Sequence, residues 1–160
     1  MALISFLATG YTQFSKDEFD GIQFGPAIKR GLEHLTTRQD DDGCLVRGDD
    51  YLKKHLWGAL ALTEYCGPIG SPVNQESAAK AVAYLGSRQR PDGSWGTGDG
   101  PRPMTTLLAL LVIESARAGG LEIPDAMVRG ANNALAAQAE RDARSSFDPV
   151  TTAALLSGTH

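Results

Sequence analysis

Lys80-Ala81-Val82-Ala83-Tyr84-Leu85-Gly86-Ser87-Arg88-Gln89, running on through Asp92-Gly93-Ser94-Trp95, is one of three related segments in this 160-residue chain. A basic residue followed by a small one stands nine positions before a Gln at Arg30-Gly31 and Gln39, at Lys80-Ala81 and Gln89, and at Arg129-Gly130 and Gln138. In the first two, an Asp-Gly pair ends four positions after the Gln, as Asp42-Gly43 and Asp92-Gly93. The Gln-to-Gln offsets are 50 and then 49 residues. Self-similarity at a fixed period of this size is the mark of a repeat architecture.

The residues before each Gln carry helical periodicity. Ala78, Ala81, Val82 and Leu85 fall at the i, i+3, i+4, i+7 positions of a one-faced helix, and Ile28, Leu32 and Leu35 form a similar stripe. Pro26 suits the first position of the earlier helix. The Asp-Gly pair then closes each helix, because Gly accepts the left-handed conformation that ends it. More apolar segments follow: Leu52 to Cys66, Met104 to Ala118, and Pro149 onward. The middle one, with Leu107, Leu108, Leu110, Leu111, Val112 and Ile113, is apolar nearly all round and is expected to be buried on most sides. The unit is thus an amphipathic helix, a Gly turn, a buried helix and a loop. It predicts an all-α chain with repeats over about 26–70, 75–120 and 124–158. Residues 1–12 are read as the end of a preceding helix of the buried type.

The second copy, from Lys80 through Gln89 to Gly93 and Trp95, resembles the QW repeat of squalene-hopene cyclases and their relatives. The first copy keeps Arg30, Gly31, Leu35, Gln39 and Gly43 but has Leu45 where the pattern expects Trp. The third keeps Arg129, Gly130 and Gln138, then runs into Asp142-Ala143-Arg144 without the turn. The resemblance implies an α/α toroid, a fold shared with protein prenyltransferase β subunits, with outer helices from the first segments and inner helices from the second. It assigns Gln39, Gly43, Gln89, Gly93, Trp95 and Gln138 to the architecture of the repeat. A closed toroid of this family uses more helix pairs than are drawn here, so the expectation is a partial toroid that self-associates or lacks its remainder. The implied ligand is hydrophobic, of the isoprenoid class.

A net charge of −4 argues against a nucleic-acid partner, which needs a basic face. No apolar run approaches the ~18 to 20 residues of a membrane span. The apolar N-terminus lacks a basic leader region and is too short for a convincing signal peptide, so no compartment is assigned. Cys44 and Cys66 form no disulfide framework and are read as ordinary thiols.

Four residues are candidates for catalysis: Asp40, Asp41, Asp42 and His55. Neighbouring carboxyls raise one another's pKa, and a neutral acid can then protonate an alkene, as the cyclases do with an Asp-x-Asp-Asp motif. Here Gln39 precedes the run, so that motif is not met, and a solvated turn is the preferred reading. Asp49-Asp50 is read as an N-cap. Asp42, Cys44 and His55 are candidate zinc ligands of the prenyltransferase type, but the Asp-Gly-Cys triplet coincides with the repeat turn, so no metal or other cofactor is assigned. His55 and Trp57 lie on an inner-type helix, where a toroid's cavity would be lined. The competing reading packs Trp57 between helices and hydrogen-bonds His55 in the core, and an aromatic content of 7% favours it. The functional expectation is a binding or interaction module without its own catalytic centre. Its alternative is part of a terpenoid cyclase-like or prenyltransferase-like enzyme whose catalytic residues lie elsewhere.

Overall fold

A computed structural model describes residues 2–66, 72–97 and 102–146. Helices dominate it: α1 (Ala2–Ala8), α2 (Phe24–Thr37), α3 (Tyr51–Tyr65), α4 (Pro72–Ser87), α5 (Pro103–Ala118) and α6 (Asp125–Ser146). The described residues are therefore all-α apart from one small ladder, in which β1 (Glu18–Phe19) pairs antiparallel with β2 (Ile22–Gln23). Asp20 and Gly21 link the two strands with φ of 50° and 73°. Both central residues being left-handed is what a two-residue hairpin requires, and Asp-Gly is a favoured pair for it.

The helices form two rows. α3 packs between α1 and α5, while α2, α4 and α6 lie behind them, α4 against both α3 and α5 and α6 against α5. α3 is buried nearly all round, from Leu52 through His55 and Leu56 to Leu62 and Tyr65. α4 buries Ala78, Ala81, Val82 and Leu85, the stripe its periodicity predicts. α2 starts at Phe24 rather than Pro26. Pro26 still lies in the first turn, where its missing N–H removes no helical hydrogen bond. Phe24 closes an aromatic cluster with Phe6 and Tyr11, each ring centroid 4.8 Å away, which fastens α1 to the head of α2.

The expected apolar segment from Pro149 onward lies outside the described residues. α2 and α4 end at Thr37 and Ser87, short of the Asp-Gly turns expected to close them, and two further elements depart from the sequence expectation. α5 is not buried on most sides. Thr106, Ala109, Val112, Ile113 and Ala116 face the core, but Met104, Leu107 and Leu111 are 75%, 44% and 51% exposed. α3 and α4 cover one side of α5 and α6 another, leaving this third stripe uncovered among the described residues. At the head of α3, Asp50 occupies the N-cap position but has φ 52° and makes no side-chain capping bond. There the Lys54 amide donates to the Asp50 carbonyl, and the Lys54 ammonium to the Asp49 carbonyl.

Candidate functional site

Two of the repeat Gln residues, Gln39 and Gln89, tie the turn after one back-row helix to the next helix of that row. Gln39 Nε2 donates to the Gly43 carbonyl at 3.1 Å and to the Ser77 carbonyl on α4 at 2.9 Å. Gln89 Nε2 does the same to Gly93 at 3.0 Å and to Met127 on α6 at 2.9 Å. Each amide thus holds its own turn closed and binds it to the back-row helix residue 38 positions onward. Gly43 (φ 87°) lies against the Lys80 carbonyl and Gly93 (φ 82°) against that of Gly130, so closely that a Cβ at either would collide with backbone. These contacts align Lys80 with Gly130, an offset of 50, whereas the sequence motif aligned Lys80 with Arg129. The third copy is therefore one residue out of register with its motif. Gln138 sits inside the unbroken α6 and donates to Asp142 Oδ1 at 2.7 Å, a contact within its own helix.

Trp95 is fully buried, and its Nε1 donates to the Leu85 carbonyl at 2.8 Å. Its backbone N–H donates to Thr106 Oγ on α5 at 3.0 Å. His55 takes the corresponding place one repeat earlier. The Leu45 N–H donates to His55 Nδ1 at 3.3 Å, which leaves the ring proton on Nε2 to bond the Ala81 carbonyl at 3.1 Å. Both ring nitrogens are engaged, the residue is 0% exposed, and burial lowers its pKa from 6.5 to about 4. His55 is a neutral tie between α3 and α4 rather than a group facing a cavity.

The acidic run is part of the turn. Arg47 bridges Asp40 through Nε at 2.7 Å and Asp42 through Nη2 at 2.8 Å. Asp42 Oδ1 also accepts the Cys44 N–H at 3.1 Å. The Arg47 bond first, and the backbone N–H second, hold the Asp42 carboxyl below its ordinary range. A general acid needs the opposite shift, so Asp42 is poorly suited to donate a proton at neutral pH. Asp41 is exposed on the same turn. The Cys44 thiol donates to the Val46 carbonyl at 3.1 Å. Asp42, Cys44 and His55 thus point to separate partners, and among the described residues no three His, Cys, Asp or Glu side chains gather as a metal-holding group. Burial pushes the Cys66 thiol up to about 11, which keeps it protonated and unreactive.

Trp57 differs from His55. It is half-buried on the opposite side of α3 and lines a groove of about 370 Å³ between α3 and α5. Leu107, Leu108 and Leu111 form the far wall, and Lys53 and Arg102 stand at one end. That volume lies within the ~300–1,000 Å³ typical of small-molecule sites. Sequence reasoning singled out Trp57 but not Met104, Leu107 and Leu111. Their i, i+3, i+7 spacing was present, yet leucines surround that stripe on every side of α5, so the pattern did not say which face stays open. Two of the other hollows differ in character. One, of about 350 Å³, mixes charged and apolar walls and shares Asp40 and Arg47 with the turn network; the other, of about 430 Å³, lies between α4 and the head of α6 at Val82, Gly86 and Met127.

Among the described residues, no helix is long and apolar enough to cross a membrane. No protein-family model, curated protein or solved structure matches the chain.

Proposed function

We propose that the chain is a QW-type repeat module of the α/α-toroid kind that holds an apolar, isoprenoid-class ligand against its inner helices and carries no catalytic centre in its described residues. The observation that carries this is the groove between α3 and α5. It sets an indole and three leucines around a volume suited to a small molecule, on the row that a toroid would turn inward. The paired ties at Gln39 and Gln89 support the repeat assignment, since both amides make the same two bonds at the same separation. The non-catalytic part rests on Asp42, held ionised by Arg47, and on His55, neutral and bonded at both nitrogens.

Calorimetric titration with farnesol, a neutral isoprenoid chain, tests the reading. Saturable binding is expected, lost in Leu107→Asp, because a carboxylate forced into an apolar groove carries a desolvation cost of several kcal/mol. Leu107 is 44% exposed, so the variant should keep the wild-type helical spectrum. Absence of farnesol binding by the unmodified chain, or equal binding by the variant, contradicts the proposal.

A further inference from the structure

Resting on the groove's role as an apolar-ligand site, we infer that its preferred occupant carries a single negative charge at one end, as a long-chain carboxylate does. The groove is polar at one end only. Lys53, Arg102 and Thr105 line both the groove and a smaller hollow beside it, which Asp50 also lines. From there the groove runs along α5 to Leu111, nine residues beyond Arg102, or ~14 Å at the helical rise. Trp57, one turn along α3 from Lys53, walls it on the other side. The heads of α3 and α5 meet at this polar end, so the positive ends of two helix dipoles add to the two side-chain cations.

Neither Lys53 nor Arg102 forms an ion pair among the described residues, in contrast to Lys29, Arg47, Lys80 and Arg117, which all do. Among the described lining residues, two cations and the Asp50 carboxylate sum to one net positive charge at the mouth. That balance matches a monoanionic head better than a neutral one, which leaves both cations without a partner. It also matches better than a dianion, which would meet Asp50 as well. The tail then lies along Trp57, Leu107 and Leu111, and the head lies between Lys53 and Arg102, where the Thr105 hydroxyl can donate to it.

The test compares three ligands with one chain and three heads, namely farnesol, farnesoate and farnesyl monophosphate, on the full chain at pH 7.5. Farnesoate is expected to bind about tenfold more tightly than farnesol, since each exposed ion pair is worth up to about fivefold. The preference should shrink as salt is raised. It should vanish in Lys53→Ala/Arg102→Ala, with farnesoate losing far more affinity than farnesol; both side chains are exposed, and a retained helical spectrum verifies folding. Equal affinity for farnesol and farnesoate overturns the charged-head inference while leaving the apolar groove standing. Tighter binding of the monophosphate dianion overturns the monoanion assignment. Failure of all three ligands removes the groove reading itself.

Discussion

Removing the Trp95 indole is expected to destabilise the chain by about 3 to 5 kcal/mol, the range for truncating a large buried aromatic to Ala. The ring is 0% exposed at the seam of α4 and α5. Packing dominates that figure. The Leu85 carbonyl bonded by Nε1 also accepts the Arg88 N–H at 3.1 Å, so Trp95→Ala does not orphan it. The hydrogen bond itself contributes about 1 kcal/mol net. Trp95→Phe, which keeps most of the buried surface and loses the donor, should therefore cost only about 1 to 2 kcal/mol. Urea unfolding followed by circular dichroism at 222 nm reads both variants, and the slope should stay constant if only stability changes. At about 2 to 4 °C per kcal/mol for chains of this size, Trp95→Ala should lower Tm by about 6 to 20 °C. A loss below about 1 kcal/mol for Trp95→Ala would refute the reasoning. Equal losses for the Ala and Phe variants would transfer the effect from packing to the hydrogen bond.

His55 makes stability pH-dependent. Its pKa is depressed in the folded state, so between pH 6.5 and about 4 the unfolded chain binds a proton that the folded chain does not. Stability is full above pH 6.5 and falls by about 3 kcal/mol as pH drops to 4. In His55→Gln, urea unfolding across that window should show a shallower slope, and parallel profiles count against the buried neutral ring. Gln89→Ala should cost about 1 to 3 kcal/mol because it leaves the Met127 and Gly93 carbonyls without the amide donor. Gln138→Ala should stay within about 0.5 kcal/mol, and comparable losses at the two positions would contradict the one-residue shift of the third copy. Gly93→Ala combines a left-handed φ, worth about 1 to 2 kcal/mol, with a collision against the Gly130 carbonyl. Its melting temperature should fall well beyond what that strain alone produces, and a shift near zero would mean that the turn relaxes freely.

The repeat was legible because its chemistry is local. A Gln, an Asp-Gly turn and an apolar stripe sit within a few residues of one another, and α3 and α5 begin and end within a few residues of their predicted limits. What escaped depends on partners from other elements. The sequence favours a core tie over a cavity role for His55, but its partners are fixed only when the Ala81 carbonyl and Leu45 N–H are seen on either side of it. The third copy looked aligned on Arg129-Gly130, yet a helix surface admits a one-residue shift in a loose motif. The contact of Gly93 with Gly130 fixes the register, and that is a tertiary fact. The Asp20-Gly21 hairpin signal was present but lay between residues with little apolar alternation, so its strands did not announce themselves. On α5, an excess of leucine hid the one stripe that stays open.

A crystal structure of the chain with farnesol bound tests the central claim most directly, because it locates the ligand. The account predicts an ordered chain lying along Trp57, Leu107 and Leu111, with its hydroxyl toward Lys53 and Arg102 and with Gln39 and Gln89 unmoved. Density in the hollow by Val82, Gly86 and Met127, with the α3–α5 groove empty, would contradict it.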